Sequence, residues 1–343
     1  MNAPPRRIAS EMFVQPPSAG HLETELAMGS GPSDATFREM GIEPLPPRTD
    51  KREQSLGARI PRGLGRAFQG NRTTSPDVAP LRFAEVGRTA SELGLATPAQ
   101  LAEAELEADA SRREGRREGP GVALSQTCRL SPRQTASLLA RHLKGYHVST
   151  DSALLGSRLR SVIDDQRRSI LICGLRHWDE ADIVAAGAGV ALALIAAWQI
   201  AIVDCNFRRP SVHELFGFDQ APGTHSVMSG AARLEAAICN TGVADLAVLP
   251  TEQLEVAPSI EFSEEVRLGR ILKPLANRKA VIFCAPPLLE CPETLMLAAR
   301  LDNTLLVTTA NVGRAADLAD AEQMLGSVGA TVLGVVLARN SGA

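Results

Sequence analysis

Ile202-Val203-Asp204-Cys205-Asn206-Phe207-Arg208-Arg209-Pro210-Ser211-Val212-His213-Glu214-Leu215-Phe216-Gly217 is an apolar run that ends in an acid and passes at once into a basic, proline-marked loop. The run begins at Ile200 and has no polar alternation, so Ile200 to Asp204 reads as a strand buried on both faces. Upstream, Ile183 to Val203 is 21 residues without a formal charge, long enough to cross a bilayer. It is Ala- and Gly-rich to Ala197, breaks at Trp198-Gln199, and resumes as Ile200-Ala201-Ile202-Val203. That pattern reads as a buried helix, Asp182 to Ala197, followed by a buried strand, and not as a membrane span.

The same alternation extends in both directions. Ile170-Leu171-Ile172-Cys173 reads as a first strand. Asp245 to Leu249, Ala280 to Cys284, Asn303 to Thr308 and Thr331 to Leu337 read as later strands. Helices are expected over Pro292–Arg300 and Arg314–Val328. Continuous apolar strands separated by helices imply a doubly wound α/β domain with a mainly parallel sheet and right-handed crossovers. This domain is assigned to residues 169–343 and a helical lead-in to 121–168. Within the lead-in, a helix is expected from Ser131-Pro132 to Lys144-Gly145, with Leu138, Leu139 and Leu143 on one face. That face either packs on the main domain or docks a partner.

Residues 1–120 are rich in Pro, Gly, Ser, Arg and Glu and poor in aromatics, which reads as a disordered region. One short helix is expected there at 97–113, with Thr97 as N-cap and Pro98 at its first position. Arg59, Arg62, Arg66 and Arg72 lie in a stretch without acids. They read as a solvated linker or as a loose contact with an anionic membrane surface. The net charge of −3 argues against a dedicated nucleic-acid binder. Six cysteines without regular spacing suit a reducing compartment, and the start Met1-Asn2-Ala3-Pro4-Pro5-Arg6-Arg7 has no apolar core of a signal peptide.

Several segments together resemble the cytoplasmic kinase domain of the bacterial tyrosine kinases of capsule and exopolysaccharide synthesis, within the ParA/MinD-like P-loop group. They are the opening stretch, Ala221-Pro222-Gly223, Leu234 to Ile238, Gly242 to Pro250, Val281-Ile282-Phe283-Cys284-Ala285-Pro286-Pro287 and Leu333 to Leu337. The likeness covers roughly residues 150 to 340, in matching order and spacing.

The resemblance implies a glycine-rich phosphate loop before the first helix, with a Lys followed by a hydroxyl residue. Counting back from Asp204, those positions fall on Asp179, Glu180, Ala181, Asp182, Ile183 and Val184. Asp182 stands at the Lys position, and Ile183 and Val184 at the hydroxyl positions. Carboxylates where a polyanion should rest repel it, and no cation offsets them. The family's second acid on the strand after that helix is here Asn206, although Asp204, Arg208 and Arg209 remain. Its later metal-organising acid is Cys284. The phosphorylated Tyr cluster has no counterpart, since Tyr146 is the single tyrosine, and an oligomerisation motif survives only as Arg158 and Arg160.

These losses imply a degenerate pseudo-kinase, with no catalytic residues, no nucleotide cofactor and no metal. The function expected by resemblance is a non-catalytic cytoplasmic partner in exopolysaccharide or capsule assembly, export or chain-length control, held peripherally at the inner membrane. Its partner would be a membrane-embedded polysaccharide co-polymerase subunit, with self-association as a further implication. The contact candidates are Arg208, Arg209 and the helix bearing Leu138, Leu139 and Leu143. The alternatives are an active ATP- and Mg-dependent tyrosine kinase or ATPase with a rearranged site, keeping Asp204 as its metal-organising acid, and a ParA/MinD-like positioning protein.

Three smaller readings complete the sequence. Cys173, Cys205 and Cys284 lie at strand ends, near His177 and Cys291; they are small core residues or, less favoured for want of ligand spacing, a thiol or zinc cluster. Asp179, Glu180 and Asp182 are also acids that could cap the first helix. His213 and His225 read as surface or structural residues rather than catalytic ones.

Overall fold

A computed structural model of the chain describes residues 13–15, 83–140, 150–177, 179–220, 222–254, 265–310 and 313–338. The α/β part carries strands β2 (Ser169–Gly174), β3 (Ile200–Asp204), β4 (Cys239–Asn240), β5 (Leu246–Leu249), β6 (Ala280–Ala285), β7 (Asn303–Thr309) and β8 (Val332–Ala338). Strand β1 (Phe13–Gln15) pairs antiparallel with β8. The sheet order is β1-β8-β7-β2-β6-β3-β5-β4, parallel from β8 to β5 and antiparallel at both edges. The expected α/β class and mainly parallel sheet are therefore present. The two edge strands were not foreseen, because each is only two or three residues long and carries no periodic signal.

Alternate residues of the central strands feed two cores. Ile170, Ile172, Ile202, Ile282 and Cys284 pack on the face covered by helix α6 (Ala181–Ala196). Leu171, Cys173, Val203, Cys205 and Phe283 pack on the other face, with Leu297 of α11 (Pro292–Ala298) and Leu325 of α12 (Ala315–Ser327). Strands β2, β3 and β6 are buried along their whole lengths, which explains their unbroken apolar runs. Helix α6 ends where Ala197 adopts φ 51°, and the chain then turns into β3. None of the described helices is long and apolar enough to cross a membrane.

The N-terminal boundary is corrected by the structure. Residues 83–127 form three helices, α1 (Phe83–Glu92), α2 (Pro98–Arg113) and α3 (Pro120–Thr127), rather than a disordered tract with one helix. Val86 and Ala90 of α1 and Ala104 of α2 are fully buried. The average composition of residues 1–120 hides this short amphipathic segment, in which Phe83, Val86, Gly87 and Ala90 recur at helical spacing. The α2 start is as expected: Thr97 Oγ1 accepts from Gln100 N, and the Gln100 side chain accepts from Thr97 N, a reciprocal capping box.

The segment after α2 is tied to the α/β sheet. Arg117 donates to the carbonyls of Pro222, Ala237 and Asp219, the last two at 2.9 and 2.7 Å. Gly119 N donates to Asn240 O, and Asn240 N donates to Arg117 O, so this segment adds a short bridge outside β4. Gly121 is required by close approach: a Cβ there would lie 2.5 Å from the Thr241 carbonyl oxygen.

Helix α4 (Pro132–Ala140) follows, and α5 (Thr150–Val162) packs on α6. Leu138 and Leu139 are 0% and 1% exposed within the core of the α6 face. Of the two readings of this helix, packing on the main domain is the one observed. Leu138 and Leu139, expected as partner contacts, are instead core residues whose surface is spent on intramolecular burial. Leu143 and Tyr146 lie outside the described residues.

Candidate functional site

The C-terminal ends of β2, β6 and β3 form the rim where open α/β sheets bind ligands. The loop between β2 and α6 lies at this rim. Its backbone is organised around one of its own side chains. Asp179 Oδ2 accepts from the N–H groups of Leu175 (3.0 Å) and Arg176 (2.9 Å). Asp179 Oδ1 accepts from Thr309 N (2.8 Å) and Thr309 Oγ1 (2.9 Å), at the end of β7. Gly174 permits this: a Cβ there would lie 2.7 Å from Asp179 Cβ. Burial pushes the Asp179 carboxyl up, against the pull of these donors.

Arg176 and His177 of the loop are also engaged. Arg176 is paired with Asp317 of α12 at 2.7 Å, which holds the guanidinium pKa up and the Asp317 carboxyl down. His177 Nδ1 lies 3.2 Å from Glu290 Oε1. Glu180 is the exposed N-cap of α6 and makes no side-chain cap bond, and Asp179 bonds away from the helix. Helix capping is thus not their role; Asp182, half-buried in the first turn, is the acid placed to meet the helix dipole. Ile183 is half-buried and packs against the core, while Ala181 and Val184 lie within it.

Asp204, at the end of β3, is completely buried. Its Oδ1 accepts from Asn206 N at 2.9 Å, while its Oδ2 has no hydrogen-bond partner. Burial pushes its pKa up to about 7, Asp182 adds repulsion, and the amides of Asn206, Val212 and Ser211 oppose the rise. Asn206 shapes the following turn by accepting from Arg209 N at 3.2 Å. In register with Asp204 on β6 is Cys284. Its thiol is buried and its pKa is raised by desolvation, then by Asp204 and Asp182. Cys284 therefore adds a neutral group beside Asp204.

Arg208 donates from Nε to Glu293 Oε1 at 3.0 Å. Glu293, in the first turn of α11, is completely buried. Arg208, a contact candidate from the sequence, thus meets a carboxylate within its own chain. Arg209 is exposed, with its backbone N–H held by Asn206. The strand-end cysteines do not converge. Cys173 and Cys205 belong to one face of the sheet and Cys284 to the other, with Cys173 pushed up to about 12 by burial. No group of three or more His, Cys, Asp or Glu among the described residues is arranged to hold a metal ion. His213 is buried and pushed down to about 4, so it is a neutral core histidine.

The structure therefore brings Asp179, Asp182, Asp204, Asn206 and Cys284 to one rim and places Leu138 and Leu139 elsewhere. Three residues that define this rim were not singled out from the sequence. Thr309, Glu293 and Asp317 lie 130, 85 and 141 positions from their partners Asp179, Arg208 and Arg176. No local pattern announces such contacts.

No protein-family model matches the chain. The tyrosine-protein kinase Wzc of Salmonella typhi is 23% identical over 140 residues, which are 40% of this chain and 19% of that protein. The tyrosine-protein kinase YwqD of Bacillus subtilis is 24% identical over 178 residues, 51% of this chain and 73% of the relative. Among solved structures, the kinase domain of the Escherichia coli tyrosine kinase ETK matches with a TM-score of 0.50 at 21% identity, covering 56% of this chain and 75% of that one. The match with Wzc thus spans about a fifth of that relative's length. The resemblance to bacterial tyrosine kinases is borne out in sequence, and the P-loop type α/β fold is shared.

Proposed function

We propose that this chain, whose α/β body is related to the kinase domains of bacterial tyrosine kinases, serves exopolysaccharide or capsule synthesis as a non-catalytic, peripheral inner-membrane partner of a membrane-embedded co-polymerase subunit. One observation carries the reading. The N–H groups of Leu175 and Arg176 in the β2–α6 loop are bound to Asp179, and the Arg176 guanidinium is bound to Asp317.

Phosphoryl transfer rests on positioning and on neutralising developing charge. Here Asp182 stands where the cation would be required, and Cys284 where an acid would orient a metal. A triphosphate would have to displace the Asp179 carboxylate and approach Asp182. At short range in a partly desolvated site, each such repulsion is worth several kcal/mol. Mg-ATP thus does not fit the residues present. The exposed Arg209 and the surface around Arg208 remain the candidate partner contact at this rim.

One observation favours a second reading. The buried Asp204 Oδ2 without a hydrogen-bond partner would suit a cation, as in an active ATP-dependent kinase. Protonation at a pKa of about 7 accounts for the same atom without a metal. Complementation separates the two readings. In a host deleted for this chain, Asp204→Asn is expected to restore polymer yield and length fully. A variant that behaves like the deletion, while folding normally, would establish a catalytic carboxylate instead.

A further inference from the structure

The four bonds to Asp179 have a consequence beyond the loss of catalysis. Two donors come from the β2–α6 loop and two from Thr309 at the end of β7. The carboxylate therefore bridges two elements that are far apart in sequence. The loop is further pinned by Leu175 N, which also donates to Val307 O at 3.1 Å, and by Gly174 O, which accepts from Leu288 N at 2.9 Å. Removing the carboxylate would leave N–H and O–H donors converging on one partly buried point, a concave arrangement that suits an oxyanion.

We propose that Asp179 is the resident ligand of an oxyanion cradle formed by Leu175, Arg176 and Thr309. This self-occupied cradle holds the β2–α6 loop against β7 in one arrangement without any diffusible ligand. The surface at this rim is then constitutive and not gated by nucleotide. The ligand class the cradle takes is a small oxyanion, carboxylate or phosphate, supplied here by the chain itself. The inference rests on the non-catalytic reading, in that no nucleotide uses the loop.

The test uses the full chain and Asp179→Ala, melted in sodium chloride, sodium acetate and sodium phosphate at equal ionic strength. The variant is expected to melt below the wild type in chloride. Acetate or phosphate should then raise its midpoint saturably, with wild type responding at concentrations about tenfold higher or not at all. Rescue by acetate alone marks a carboxylate-shaped cradle, and rescue by phosphate marks one that accepts a tetrahedral ion. Adding Thr309→Val, which deletes one donor, should abolish the rescue. A variant as stable as wild type, or one whose response to every salt parallels that of wild type, overturns the proposal.

Should Asp179→Ala not fold, Asp179→Asn keeps the volume and carries the test. It should melt below wild type by the same amount in all three salts, because the amide fills the cradle without the charge. A midpoint equal to that of wild type contradicts the assignment. Mg-ATP binding by the wild-type chain would end the non-catalytic reading whatever Asp179→Ala does, and a silent Asp179→Ala would end this one alone.

Discussion

Asp204→Asn should stabilise this protein, and the gain should grow with pH. Asp204 is completely buried, and its pKa is pushed up to about 7 from the ordinary 3.8. The folded chain therefore holds the proton more tightly than the unfolded chain does. Stability from this group is full below about pH 4 and is lost as pH rises toward 7. Each pKa unit is worth about 1.4 kcal/mol, so the total loss is about 4 kcal/mol, of which about 2–3 kcal/mol falls between pH 5 and 8. Asparagine keeps the oxygen that accepts from Asn206 N and cannot ionise. Its buried N–H₂ forfeits about 1–2 kcal/mol at every pH, which leaves the pH dependence untouched. Urea unfolding of both proteins at pH 5, 6, 7 and 8 measures the difference directly. The variant should gain about 2–3 kcal/mol on wild type across that range. Parallel profiles would refute the reasoning, and a difference that vanishes on adding Mg²⁺ would show that Asp204 holds a metal.

Three further substitutions test the packing around the rim and the N-terminal helices. Arg208→Ala leaves the buried Glu293 uncompensated and should lower stability by about 2 kcal/mol, less than a fully buried pair because Arg208 is partly exposed; a denaturant midpoint reads it. Arg117→Ala removes three bonds to carbonyls and should lower stability by about 2–3 kcal/mol while speeding proteolysis within residues 83–127. Gly121→Ala drives a methyl toward the Thr241 carbonyl and should lower stability by more than about 2 kcal/mol, which a thermal melt would record.

The central sheet was legible because its strands are buried on both faces. Ile170–Cys173, Ile200–Asp204 and Ala280–Cys284 each carry unbroken apolar runs that no helix of similar length would need. Capping chemistry placed α2 for the same local reason, since Thr97 and Pro98 act within one turn. Helix α1 escaped notice because its four apolar positions sit beside a long Pro- and Arg-rich tract that dominates any average. Its stability comes from tertiary burial of Val86 and Ala90, which propensity does not report.

The site was half legible. The acids at positions 179, 180 and 182 could be counted, and their repulsion toward a polyanion follows from charge alone. What Asp179 does could not be read, because its partner Thr309 comes from a strand 130 positions away. The same holds for Arg208, read as a free contact residue, whose partner Glu293 lies on α11. Leu138 and Leu139 show the converse ambiguity. An apolar helix face looks alike whether it meets its own core or another chain, and only packing shows which.

Calorimetric titration of the full chain with ATP in the presence of Mg²⁺ tests the central claim most directly. A carboxylate-filled cradle predicts no saturable heat up to about millimolar nucleotide, because Asp179 already occupies the loop donors and bringing a triphosphate beside Asp182 is repulsive. Saturable one-to-one binding at micromolar concentration would contradict the account.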